Sequence, residues 1–121
     1  MPDIRTLPFT ISTGAGNMAA DGAMLVSAAE QSVASFRVYS WDTPTLSLGY
    51  FQEASIRKSD ERLAHLPWVR RATGGAAIVH DPATELTYSL ALPAGELWQP
   101  RGESWICRMH HALREDRKSV V

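Results

Sequence analysis

Residues 69 to 81, VRRATGGAAIVHD, set two arginines before a Gly-Gly pair and then run directly into the β-branched residues Ile78 and Val79. That order is restrictive. Phosphate loops of the P-loop and dinucleotide kinds place their glycines between a strand and a helix, so that the helix N-terminus faces the anion. With a strand after the glycines, neither is available. What remains is a bend between strands. Lacking a Cβ at Gly74 and Gly75, the backbone can approach a ligand closely and turn its N–H groups toward anionic oxygens, while Arg70 or Arg71 adds a planar donor fork. Such a bend suits a carboxylate, a phosphate or an acyl phosphate mixed anhydride. Strand alternation sends the two arginines to opposite faces, so at most one enters the pocket by that route. The same spacing also fits a plain hairpin whose arginines pair with surface carboxylates.

The rest of the chain supplies the layers around this bend. Asn17 is expected to cap a helix through NMAADGAMLVSAAEQ, with Met18, Gly22, Leu25 and Ala29 on the packing face. SFRVYSW and TLSLGYF read as two strands joined by a short turn, SIRKSDERLAH as a short polar helix ended by Pro67, and WVRR, AAIVH and ELTYSLAL as three more strands. Trp105, Ile106, Met109, Ala112 and Leu113 put an apolar stripe on a helix over 104–114. The order predicts an α+β fold: a mixed, largely antiparallel sheet flanked by helices. No closing strand follows the last helix, so residues 1–121 are expected to be a single domain portion, the front part of a longer domain.

Composition narrows the function classes. A net charge of -1 argues against nucleic-acid binding, one cysteine excludes an internal disulfide framework, and no stretch has signal or membrane-span character. A cytoplasmic protein is expected. Cys107, His110 and His111 share a helix face, but no fourth ligand has matching spacing and no metal site is expected. Asp21 is explained by the helix dipole. His80 closes a strand and is read as pocket lining rather than as a catalyst.

RRATGGAAIVHD resembles the Arg-Arg-x-Ser/Thr-Gly-Gly-Gly-Ala-Val-x-His-Asp signature of lipoate-protein ligases and the related octanoyltransferases, in the biotin and lipoate ligase superfamily. NMAADGAML is similar to that family's first-helix pattern and WDTPTLSLGYFQ to its Trp-x-x-Pro-x-x-x-x-Gly-x-x-Gln strand, in the same order along the chain. The resemblance implies the N-terminal part of a biotin/lipoate ligase-type catalytic domain. It also implies that Arg71 and the backbone of Ala76, Ala77, Ile78 and Val79 line a nucleotide or acyl-adenylate site, that Gly74, Gly75 and His80 shape an acyl pocket, and that Gly49 and Gln52 lie nearby. One departure is Ala76, which stands where the family has a third glycine.

By this resemblance the chain takes part in protein lipoylation. A ligase would use ATP with magnesium to activate lipoate or octanoate and pass the acyl group to a lysine of a lipoyl domain, in 2-oxoacid dehydrogenases or the glycine cleavage H protein. An octanoyltransferase would need no such cofactor and would take octanoate from acyl carrier protein through a cysteine thioester; HDPATELTYS favours this branch. A third alternative is a non-catalytic module that binds an acyl group or a carrier. The family's lysine and cysteine lie beyond the strands read here, and Lys58, Lys118 and Cys107 match neither, so no catalytic residue is assigned and the segment alone is expected to be inactive.

Overall fold

A computed structural model describes residues 3–95 and residue 108. The mixed α+β class is as the sequence implies; among the described residues the strands divide between two small sheets that share one helix, and three of the five strand pairings are parallel where a largely antiparallel sheet was expected. The first sheet is built on β3 (Ser35–Trp41). Strands β1 (Arg5–Thr6) and β2 (Thr10–Ser12) run parallel to it, and β7 (Thr87–Ala91) runs antiparallel. Because β7 pairs with the same residues of β3 as β1 does, β1 and β2 lie end to end along the other side. Pro8, which cannot donate to a ladder, interrupts them, and the register offset falls from 30 (Arg5 with Ser35) to 29 (Thr10 with Tyr39). These two exposed strands were not among the elements expected from the sequence.

The second sheet centres on β4 (Thr45–Leu48), which is buried throughout, with β5 (Trp68–Arg70) parallel on one side and β6 (Ile78–His80) antiparallel on the other. The turn at 42–44 therefore joins two sheets instead of closing a hairpin. The polar helix expected before Pro67 forms as two pieces, a 3-10 turn at Ala54–Lys58 and the single helical turn α2 (Glu61–Ala64), whose N-cap Asp60 accepts from the Arg62 N–H.

Helix α1 (Gly14–Gln31) packs against strands of both sheets. Its cap is Thr13, whose side chain accepts from Gly16 N–H at 3.0 Å, not Asn17. Asn17 lies one turn in and is buried, with Nδ2 donating to Ser40 O at 3.1 Å. The packing face runs through Asn17, Met24 and Ala28, while Leu25 is exposed. That face is offset from the one predicted because its first member is polar and tied to the strand backbone, which apolar periodicity does not register. Met24 and Ala28 meet Ala91 and Leu7, and among the described residues the largest fully buried side chain is Trp41. The helix predicted over 104–114 and the Cys107, His110 and His111 group lie, apart from residue 108, outside the described residues.

Candidate functional site

Since β5 and β6 lie on opposite sides of β4, the segment joining them crosses the end of β4 and is not a hairpin turn. Arg71 N donates to Leu48 O and Tyr50 N to Thr73 O, both at 2.9 Å, which holds the crossing chain against the chain leaving β4. Contact is closest between Gly49 and Gly75. A Cβ on Gly49 would collide with the Gly75 carbonyl, and Gly75 has φ +99°, a conformation that L side chains rarely adopt. Gln52 completes the corner by accepting from Gly49 N–H at 2.8 Å.

Both arginines brace this corner, on separate networks. Arg70 Nη1 donates to Gly49 O at 3.1 Å, to Tyr50 O at 3.3 Å and to Gln52 O. Arg71 Nη1 donates to Ser47 O at 3.1 Å and Ser47 Oγ at 2.8 Å, and its Nη2 to Gly74 O at 3.0 Å and Ala76 O at 2.8 Å. Four N–H···O contacts from the two Nη atoms thus end on the protein itself, and burial pulls the guanidinium below its ordinary pKa. A doubled positive charge beside flexible backbone makes sense as a brace: carbonyls of two bends are gathered onto cations that keep their charge at any physiological pH.

His80 closes the network. Its Nε2 lies 2.7 Å from Ser47 Oγ and its Nδ1 lies 2.7 Å from Glu85 Oε1, while Trp41 stacks on the ring at 4.1 Å and 16°. Asp81 and Pro82 explain why Glu85 can reach back. Asp81 Oδ1 accepts from Ala83 N–H, and its carbonyl accepts from Thr84 and Glu85 N–H, folding 81–85 into a compact turn. Both ring nitrogens are engaged and the residue is buried, so His80 has no free nitrogen to act as a base toward a substrate. Burial lowers its pKa more than the neighbouring Glu85 raises it, and the Arg71 charge lowers it further. At neutral pH the contact with Glu85 is therefore a hydrogen bond from a neutral imidazole, not an ion pair.

That lowered value has a sign for stability. Below about pH 6.5 the unfolded chain's imidazole takes up a proton that the folded chain's holds off, so stability present at pH 7 is lost as the pH falls through the folded value. Thermal melts between pH 7.5 and pH 5 are expected to show this loss, and a His80→Asn variant to show a shallower slope. Equal slopes in the two proteins would remove the assignment.

A cavity of about 570 Å³, within the ~300–1,000 Å³ range of small-molecule sites, opens between the sheets and α1. The helix lines it with Met18, Asp21, Met24 and Leu25, β3 with Tyr39 and Trp41, and β7 with Thr87 to Ala91. The other wall carries Arg70, Arg71, Thr73, Ile78 and His80. Of the residues singled out from the sequence in and around the bend, Arg70, Arg71, Ile78 and His80 line this space; strand alternation was expected to admit at most one of the arginines, but β5 ends at Arg70, so Arg71 is not bound by that alternation. Gly74, Gly75, Ala76, Ala77 and Val79 are not among its lining; they form the bend and strand behind it, as Gly49 and Gln52 form the facing corner. Among the described residues no three of His, Cys, Asp and Glu are grouped to hold a metal ion.

Sequence reasoning missed Ser47 and Glu85, and it gave Asp21 too small a part. Asp21 Oδ1 accepts from Arg37 Nε at 3.2 Å and Nη2 at 3.0 Å, and its Oδ2 lies 3.4 Å from Tyr39 Oη. Arg37 is buried, with its guanidinium 3.7 Å from the Tyr39 ring centroid and Nη2 donating to Asn17 O. The helix dipole is thus a minor reason for a carboxylate at this position. The signal available was the arginine at the third place of SFRVYSW, an inward-facing charge that needs a partner.

Known proteins resemble this chain in sequence and in fold. The family described as Lipoyl protein ligase A/B catalytic domain matches residues 13–117. Octanoyltransferase LipM of Kyrpidia tusciae is 42% identical over 89 residues, covering 68% of this chain and 32% of that protein. Octanoyltransferase LipM of Brevibacillus brevis is 48% identical over 77 residues, covering 61% and 27%. The chain spans about a third of the length of these curated relatives. Among solved structures, a T. acidophilum protein described as a lipoate protein ligase superposes with a TM-score of 0.59 at 26% identity, covering 74% of this chain and 37% of that one. A lipoate-protein ligase A bound with ATP, at TM-score 0.55 and 24% identity, shares the fold. No helix among the described residues is long and apolar enough to cross a membrane. With a match that takes in helix α1, strands β3 to β7 and the braced bend, the chain belongs to the lipoyl protein ligase A/B catalytic-domain family of enzymes.

Proposed function

We propose that residues 1–121 are the acyl-recognising N-terminal portion of a cytoplasmic octanoyltransferase. The whole enzyme would move an octanoyl group from acyl carrier protein to a lysine of a lipoyl domain, in a 2-oxoacid dehydrogenase or the glycine cleavage H protein. The observation that carries the choice over an ATP-dependent ligase is the inward-turned Arg71. With both Nη atoms on Ser47, Gly74 and Ala76, it has no parallel pair of N–H groups for a phosphate. Ala76 in place of a glycine points the same way, and so do the octanoyltransferase names of the relatives.

The chemistry follows from the two walls of the cavity. Methionine, leucine and aromatic side chains from α1, β3 and β7 would take the alkyl chain out of water, each buried CH₂ being worth about 0.8 kcal/mol. The carbonyl carbon would then lie toward Arg71 and Thr73 on the opposite wall. Attack by an amine or thiolate there would place negative charge on the carbonyl oxygen, and collapse of that intermediate would expel the carrier's thiolate; the positive charge of Arg71, fixed in the cavity wall, would stabilise both anions at a distance without reorganising. No nucleophile and no catalytic lysine is assigned within these residues.

Isothermal titration of the chain with octanoate, octanoyl-loaded carrier protein and ATP tests the reading. Octanoate is expected to bind with a negative heat-capacity change, ATP to leave that binding unaltered, and Arg71→Gln to weaken it about tenfold, or about 1.4 kcal/mol. Acyl binding that depends on ATP would return the ligase, with its ATP and magnesium. Binding of octanoate without any response to loaded carrier protein would favour a non-catalytic module, and no acyl binding at all would end the proposal.

A further inference from the structure

We propose that Glu85 is a positioning residue of this site: it holds His80 with its proton on Nδ1, which makes the Ser47 hydroxyl a donor to His80 and an acceptor for Arg71, and so fixes the guanidinium that shapes the bend at 74–76. The geometry allows one order of donors. A carboxylate oxygen 2.7 Å from Nδ1 can only accept, so Nδ1 carries hydrogen. In the neutral ring Nε2 is then bare and must accept, and the atom 2.7 Å away that can give it a proton is Ser47 Oγ. Ser47, having donated to His80, still has a lone pair for Arg71 Nη1 at 2.8 Å. Arg71 Nη2 passes the constraint to Gly74 O and Ala76 O.

The opposite tautomer puts a bare Nδ1 against the carboxylate, two acceptors with no hydrogen between them. Ser47 is fully buried and His80 nearly so, and an unsatisfied polar group there costs about 1–3 kcal/mol, so the order of the chain is strongly held. Direction comes from the outer end: the Glu85 side chain is 31% exposed and set by the turn at 81–85, whereas Arg71 lines the cavity. Among the described residues, the groups whose charge bears on His80 are Glu85 and Arg71; the ring's stacked face is the uncharged Trp41. Glu85 thus reaches the acyl site through three side chains without touching a substrate. Its functional weight rests on the acyl-site reading above, but the order of hydrogen bonds does not.

Long-range ¹H–¹⁵N spectra of the imidazole nitrogens read this directly. In the whole chain at neutral pH, His80 is expected as a single neutral form protonated on Nδ1. Glu85→Leu should lose that single form and shift the backbone amide signals of residues 74–76. Glu85→Gln should lower the pH at which His80 takes its second proton, because the carboxylate that favours the imidazolium is gone while Arg71 remains. A wild-type His80 protonated on Nε2 overturns the proposal without any variant. So does a folded Glu85→Leu protein with unchanged tautomer or unchanged bend signals, or a Glu85→Gln protein whose His80 titrates as in wild type. Octanoate titration of the same samples separates the two ideas: the expected tautomers with no octanoate binding leave Glu85 in place and remove the acyl reading.

Discussion

Replacing Trp41 with alanine is expected to lower the free energy of unfolding by about 3–5 kcal/mol, the cost of removing a large aromatic side chain from a packed interior. A domain of this size has about 5–15 kcal/mol in total, so the variant should stand close to unfolding. The ring is 1% exposed, lies 5.8 Å from Tyr39 and stacks on His80, and its Nε1 donates to Thr87 Oγ1 at 3.0 Å. It therefore joins β3 to β7 within one sheet and reaches His80 of the other. Trp41→Phe keeps most of the buried area and loses chiefly the bond to Thr87, so its cost should be nearer 1–2 kcal/mol. Urea unfolding of the three proteins measures both differences, and a loss below about 1 kcal/mol for the alanine variant would show that the site collapses around the missing ring. Because Trp41 lines the cavity, octanoate binding should weaken in the same order.

How far the sequence reaches depends on which force places each residue. Strands read from β-branched and aromatic content came out where expected for SFRVYSW, and within a few residues for AAIVH and ELTYSLAL, because side-chain alternation is local. TLSLGYF ends early, at Leu48, since Gly49 turns the chain under the bend at 74–76, a contact made over some 25 positions. The split into two sheets was out of reach for the same reason. β5 and β6 look like the arms of a hairpin until β4 is placed between them.

Site legibility divides along the same line. Arg71, the glycines and His80 stood out because their residue types are unusual beside one another. Ser47 did not, since a serine inside TLSL has no periodicity that distinguishes it from a surface residue, and only a histidine 33 positions later makes it matter. Glu85 reads from the sequence as the first residue of the strand ELTYSLAL, whereas it ends the turn at 81–85, and that turn carries its carboxylate back to His80. What the arginines do was also hidden. A guanidinium that braces carbonyls and one that grips a ligand have the same sequence, and only the positions of their acceptors tell them apart.

Removing the carboxylate of Asp21 should be the second severe change. Asp21→Ala leaves the Arg37 guanidinium, whose side chain is 4% exposed, with the Asn17 carbonyl and the face of Tyr39 as its remaining partners. Breaking a buried pair from one side costs about 3–5 kcal/mol, and the lower end applies because the Asp21 side chain keeps 25% exposure. The double variant Asp21→Ala with Arg37→Met replaces both charges with apolar groups and should recover most of that loss, since the pair's own desolvation cost disappears with it. The comparison decides what the pair is for. If the double variant is as stable as wild type yet binds octanoate more weakly, the ion pair belongs to the cavity wall and is kept for the ligand. If single and double variants are equally destabilised in urea, the uncompensated Arg37 charge is not the source of the loss, and the packing of Asp21 against Tyr39 must be. Tyr39 offers an independent readout, because burial raises its phenol above the ordinary value and the adjacent carboxylate adds to that rise. In Asp21→Ala the Tyr39 titration should therefore move back toward lower pH.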